Sequence, residues 1–271
     1  MAWEPLLLVE WLLLGGVAGF LAGLLGVGGG MMMVPFLTAM VTHRGVSAEL
    51  GVKVAIATSM ATILFTSISS VRAHHARGAV RWDIVRTMAP GIVAGGLLAG
   101  AGLFAALKGT ALSLVFAVFV GFSATQMLLD RKPAPTREMP GALGRFGAGG
   151  VVGLLSALVG AGGAFVSVPF MSWCNVPMRQ AVGTSAAFGF PIALAGTAGY
   201  LIAGRGVANP LPGAQGYLWL PALLAIACAS VVMAPLGART AHRIDTRQLK
   251  RVFAALLYAL AGYMAWRAYG G

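Results

Sequence analysis

GGVAGFLAGLLGVGGGMMMVPF, residues 15–36, and GGVVGLLSALVGAGGAFVSVPF, residues 149–170, are two copies of one unit. An offset of 134 positions superposes them with 12 of 22 residues identical, far more than two apolar stretches share by composition alone. The identities are mostly glycine and end on Val-Pro-Phe: Gly26, Gly28, Gly29, Pro35 and Phe36 match Gly160, Gly162, Gly163, Pro169 and Phe170. A duplicated hydrophobic unit, broken by glycine at the same place in both halves, points to a binding site built between inverted halves of a membrane protein.

Composition sets the class. The chain has 271 residues, 58% of them hydrophobic and 10% charged, where a soluble domain carries roughly a quarter charged residues. A bilayer span needs about 20 apolar residues. Uncharged stretches run over 11–42, 54–71, 87–107, 109–129, 146–178, 180–204, 206–238 and 252–266. The expected fold is therefore an all-α, polytopic helical bundle, multi-pass in a membrane. The net charge of +12 lies in short loops between these stretches. That is the positive-inside pattern of a membrane protein, with lipid as the surrounding partner and no role for nucleic acid.

Two repeats organise the chain: 1–130, then a basic linker at 131–145 placed in the cytoplasm, then 146–271. The linker region DRKPAPTREMPGALGR holds three prolines and four basic residues. Each repeat reads as a glycine-broken pair of short helices, either a re-entrant hairpin or fully spanning, followed by three spans. In the second repeat the short pieces are 146–159 and 164–175, each reaching roughly 20 Å. The spans are 50–72, 86–106 and 111–130, then 179–204, 216–238 and 248–268. Arg72, Arg77, Arg81 and Arg86 follow the first of these spans in repeat one, and only Arg205 does so in repeat two. After the second span the order reverses: Lys108 alone, against Arg239, Arg243, Arg247, Lys250 and Arg251. The basic loop changes sides, so the repeats are predicted to be inverted, with both termini outside.

The glycines at 28–30 and at 162–163 free the backbone for a tight break and for close approach of a ligand. The helices that follow begin near 31–35 and 164–169, and their first amides lack intrahelical partners. Two such positive ends converging at mid-membrane form an anion site without a charged side chain. Thr58-Ser59 and Thr184-Ser185 occupy matching positions in their spans and add hydroxyls. Lys53 and Arg179 also match. They either draw anions into a vestibule or reach out to lipid headgroups. The competing account of the glycines is close helix packing, which suits Gly15, Gly19 and Gly23 best.

Other chemistry is not indicated. No Asp or Glu lies deep in a predicted span, which argues against carboxylate proton relays and cation sites. There is no nucleotide-binding loop, no nucleophile–base constellation and no expected cofactor, so the chain is not read as an enzyme. Met31, Met32 and Met33 read as apolar packing and not as a metal site, and Cys174 and Cys228 as small buried residues.

GLLGVGGGMMMVPFL with KVAIATSMA, then GLLSALVGAGGAFVSVPFM with RQAVGTSAA, resemble the TauE/SafE family of sulfite exporter-like permeases. The resemblance covers essentially the whole chain. It implies transport of small sulfur-containing anions, with sulfite export the simplest case and organosulfonates or other small organic anions the alternatives; a non-transporting scaffold is the rival outside that class. By motif match the family's glycine segments fall on Gly26, Gly28, Gly29, Gly30, Gly160, Gly162 and Gly163, and its Thr-Ser pairs on Thr58-Ser59 and Thr184-Ser185. One departure is Ala164, which stands where the first copy has Gly30 and predicts a less open second half-site. Association into homo-oligomers is left open.

Overall fold

A computed structural model describes residues 5–25, 29–129, 137–240 and 246–270. It holds ten helices among these residues, five in each half. In the first half they are α1 (Pro5–Leu25), α2 (Gly30–His43), α3 (Ala48–His75), α4 (Trp82–Leu97) and α5 (Gly109–Leu129). Helix α4 continues through a π-helical turn at Leu98–Leu103 to Ala106, which makes it one apolar run of 25 residues. In the second half they are α6 (Ala142–Val159), α7 (Ala164–Trp173), α8 (Met178–Ala203), α9 (Leu220–Thr240) and α10 (Thr246–Gly270).

Seven helices among the described residues are long and apolar enough to cross a membrane: α1, α3, α4, α5, α6, α8 and α9. Helix α10 is as long, but basic and tyrosine residues at 247, 250, 251, 258, 263, 267 and 269 lower its hydropathy. Large aliphatic side chains point outward, Val118, Val232 and Val252 being about 70% exposed. A surface of this kind is at home in lipid.

Three expectations need correcting. The first member of each broken pair is not short. Helix α1 has 21 residues and α6 has 18, roughly 31 and 27 Å. Arg145 does not end the apolar run, because its guanidinium folds back on the carbonyl of Pro140 and the helix starts at Ala142. Only α2 and α7, with 14 and 10 residues, fall short of a span. Second, 214–219 is not helical. Ala214–Gln215 (β1) and Leu218–Trp219 (β2) pair antiparallel around Gly216, whose φ of 56° closes the turn, and α9 begins only at Leu220. Third, Cys228 is exposed on the outside of α9, while Cys174 is buried as expected. Asp130, most of the linker at 131–136, and residues 241–245 with Arg243 lie outside the described residues.

The packing crosses between halves. Helix α1 lies along α9, α4 along α6, and α5 along α10; α3 and α8 meet at the centre. Glycine seams set the first two contacts. Gly15 faces Ile226, Gly19 faces Ser230, and Gly237 faces Phe20, so α1 and α9 run in the same direction. Gly149 faces Met88 and Gly153 faces Ile92, so α6 and α4 also run parallel. At each of these positions a methyl group would strike the neighbouring backbone, the close approach that small residues permit between membrane helices. The packing account of Gly15 and Gly19 therefore holds. Ala195 beside Gly96, and Gly199 beside Gly100, put α8 parallel to α4; Trp219 bonded to Thr58 and Ser69 bonded to the Val231 carbonyl together put α3 parallel to α9. Between α3 and α8, Met60 meets Gly196 and Ser67 meets Gly189, so those two run antiparallel. The buried centre holds Ile56, Met60, Ile63, Phe188 and Ile192, and Met31 and Met33 pack into it from α2, with Met32 buried as well.

Candidate functional site

The two glycine breaks are left-handed turns in the bundle interior. Gly29 (φ 55°) N-caps α2; Gly160 (φ 71°) ends α6 and Gly163 (φ 78°) N-caps α7. Side chains rarely adopt this conformation, which explains glycine at these places. Gly26 and Gly28 lie outside the described residues. No side chain caps α2 or α7. In both helices the N3 and N4 amides bond back to the capping glycine carbonyl, Met32 and Met33 to Gly29, Val166 and Ser167 to Gly163. The amides of the first turn before them are the ones left for a ligand.

The breaks touch each other. A methyl on Gly30 would overlap the carbonyl oxygen of Gly160. Ser59, fully buried on α3, spans the junction: its hydroxyl donates to the Gly30 carbonyl at 3.2 Å and the Gly160 carbonyl at 3.4 Å. Its single proton is thus shared between two backbone acceptors. The matching residue, Ser185 on α8, has a different partner. Ser167 of α7 donates to it at 2.8 Å, which leaves the Ser185 proton uncommitted to that bond. The departure at Ala164 has a packing cause. Gly30 has no room for a methyl against Gly160, whereas Ala164 keeps its methyl in a buried position.

Thr58 and Thr184 do not face this junction. Thr58 accepts the backbone N–H of Trp219 at 3.1 Å, and Thr184 accepts that of Arg81 at 3.0 Å. Trp219 and Arg81 immediately precede α9 and α4. Each threonine therefore holds the start of a helix from the opposite half, an assignment that satisfies an amide with no intrahelical partner. Adjacent residues on a helix point about 100° apart, so the two members of each Thr-Ser pair address different neighbours.

A small cavity lies beside the junction, lined by Ala22, Thr66, Ser67, Ser70, Gly162, Ser185 and nearby apolar groups. Its volume of about 20 Å³ accommodates a single water-sized occupant. Of the candidates read from sequence, the structure brings Gly162 and Ser185 to this cavity, with Gly163 next in the chain. Gly29, Gly30 and Ser59 build the adjoining wall. Thr66, Ser67 and Ser70 were missed, although seven hydroxyl residues fall between 58 and 70. Thr66 and Ser67 donate to their own helix, at Thr62 and Leu64, and so turn lone pairs outward.

Lys53 and Arg179 are remote from the cavity and differ from each other. Lys53 is 7% exposed, its ammonium 3.8 Å from the Glu49 carboxylate, 3.5 Å from the Ala105 carbonyl and 5.8 Å from the centre of the Tyr217 ring. It does not reach out to headgroups. Arg179 is exposed and donates to the carbonyl of Arg77 at 3.1 Å. Wider polar recesses open at opposite ends of the bundle. One, about 880 Å³, is lined by Glu10, His43, Arg44 and Arg267 near the end of α2. The other, about 260 Å³, is lined by Arg81, Asp83, Glu138 and Arg145 near the end of α7. Among the described residues no group of three or more His, Cys, Asp or Glu side chains is placed to hold a metal ion.

Comparison with known proteins agrees with this architecture. The family model described as sulfite exporter TauE/SafE matches residues 11–264. A probable membrane transporter protein of Haemophilus influenzae is 35% identical over 254 residues, covering 92% of this chain and 95% of its own. A probable membrane transporter protein of Methanocaldococcus jannaschii is 26% identical over 267 residues, 97% of this chain and 98% of its own. A third, from Xylella fastidiosa, is 27% identical over 263 residues, 94% of each chain. No solved structure matches.

Proposed function

We propose, from the premise that this chain belongs to the TauE/SafE sulfite exporter family of membrane transporters, that its cargo is a small sulfur oxyanion, sulfite in the simplest case, carried out of the cell past the junction of the two glycine breaks. The observation that carries this reading is the junction itself. Two uncapped helix starts and a hydroxyl-lined cavity meet in the bundle interior, and among the described residues no charged side chain lines that cavity. Amide and hydroxyl donors suit an anion, and the lack of a fixed cation lets it leave again.

The directions of the helices support an inverted arrangement. Helices α1, α3 and α9 share one direction, and α4, α6 and α8 the other. Each helix thus opposes its counterpart five places on in the chain, α1 with α6, α3 with α8, α4 with α9. With the basic α3–α4 loop in the cytoplasm, a membrane potential negative inside assists anion export by about 2.3 kcal/mol per charge per 100 mV.

The test is uptake of labelled sulfite by proteoliposomes containing the purified chain, with taurine, sulfoacetate and sulfate as competitors. Sulfite uptake above empty vesicles, competed poorly by taurine, is the expected result. Competition by sulfonates at lower concentration than sulfite would move the substrate to the sulfonates. Monodisperse protein with no uptake of any of these anions would leave the scaffold account standing.

A further inference from the structure

Ser156 lies in the last turn of α6 and is fully buried, and its hydroxyl has no hydrogen-bond partner among the described residues. Its Oγ lies 3.1 Å from where a methyl on Gly163 would sit. Gly163 is the residue that starts α7, and no side chain caps that helix. Buried hydroxyls are rarely left unpaired, and this one stands beside amides that also lack partners.

The same corner holds a second donor. Ser167 and Ser185 are buried and 2.8 Å apart, with Ser167 donating. The Ser185 proton is free to bond elsewhere, and Ser185 lines the central cavity together with Gly162.

The first half lacks both features. At the 134-residue offset, Ser156 corresponds to Ala22 and Ser167 to Met33. Ser185 corresponds to Ser59, whose proton already serves the carbonyls of Gly30 and Gly160. The glycine framework is duplicated, but at the breaks themselves the uncommitted serine hydroxyls, Ser156 and Ser185, belong to the second half.

We infer that the anion is held at the second half's break: the hydroxyls of Ser156 and Ser185 and the first amides of α7 donate to one small oxyanion, while the first half's break supplies a closed wall through Ser59 and Gly30. The inference rests on the transport reading above and narrows its ligand. The cargo must offer at least two acceptor oxygens on one face, as sulfite and related pyramidal or tetrahedral oxyanions do. Ser156 thereby joins the binding residues, a role no repeat identity signals.

The test uses the full chain, purified in detergent and reconstituted, with labelled sulfite as the probe. Ser156→Ala and Ser185→Ala should each raise the half-saturating sulfite concentration at least tenfold; Ser156→Ala should do so without lowering the melting temperature in detergent, whereas Ser185→Ala also leaves Ser167 without its acceptor and should melt somewhat lower. Ser230→Ala removes another fully buried, unpartnered hydroxyl, on α9 beside Gly19 and away from the breaks. It should leave the half-saturating concentration within twofold. Ser156→Ala within twofold of the parent, in protein that transports sulfite, overturns the inference, as does an equal loss in Ser230→Ala. A parent protein that neither binds nor transports sulfite, sulfate or sulfonates removes the transport reading first, and this inference with it.

Discussion

Replacing Gly30 with alanine tests the contact between the two breaks. The added methyl would overlap the Gly160 carbonyl oxygen and sit 3.0 Å from Cδ1 of Ile63. Ile63 is a side chain and can rotate away, but the carbonyl belongs to a left-handed turn held between α6 and α7. The two breaks must separate. Overpacking of a close-packed interior costs about 1–3 kcal/mol, and the Ser59 hydroxyl, which bridges both carbonyls, weakens by up to about 1 kcal/mol more. We predict a net destabilisation of about 1–4 kcal/mol. Gly121→Ala and Gly147→Ala make the comparison. Both positions are helical, neither meets any neighbour within 4 Å, and alanine there should stabilise by roughly 0.5–1 kcal/mol. The assay is thermal stability in detergent, followed by size-exclusion chromatography after heating. Gly30→Ala should melt well below the parent, and the two comparison variants at or above it. A Gly30→Ala protein as stable as Gly121→Ala would show that the breaks do not touch, and the shared junction would have to be abandoned.

Three further outcomes are expected. Single cysteines at Arg77 and Arg205, in a background without Cys174 and Cys228, should react with an impermeant maleimide from opposite sides of the membrane; labelling from one side would contradict the inverted arrangement. Thr58→Val and Thr184→Val each strip the acceptor from a helix-start amide and should lower stability by about 1–2 kcal/mol, with Thr→Ser restoring most of it; equal melting of the Val and Ser variants would mean that those bonds do not form. Burial pushes the Cys174 thiol above its ordinary range, despite the partial offset from nearby Arg137. The thiolate is the reactive form, so a water-soluble maleimide should modify Cys174 much more slowly than free cysteine at pH 7, and the rate should keep rising above the pH where free cysteine levels off.

Much of this architecture is legible in the sequence because glycine and long apolar runs have few structural meanings in lipid. The breaks at 29 and 160–163 fall where the repeat places them, since a left-handed turn demands glycine. The central pair α3 and α8 appears as two of the predicted spans. The length of α6 was misjudged because a lone Arg145 looks like a boundary, while its own fold-back allows the helix to start earlier. The strands at 214–219 were hidden by Tyr217, Leu218 and Trp219, which read equally well as the start of a span. The threonine roles were out of reach. Thr58 and Trp219 are 161 residues apart, and Thr184 and Arg81 are 103 apart, so no local pattern joins them. Ser156 and Ser167 were passed over for a related reason: identities between the copies drew the eye, and these two positions are where the copies differ.

The crossed pairing of α1 with α9 and of α4 with α6 has a consequence for biogenesis. Helix α1 is synthesised well before α9, and Gly15 and Gly19 lie on a face that has no partner until α9 follows. Helix α4 likewise waits for α6 across the linker. Neither half can complete its own interior, so a polypeptide cut in the linker should yield two fragments that accumulate only when both are made in the same cell.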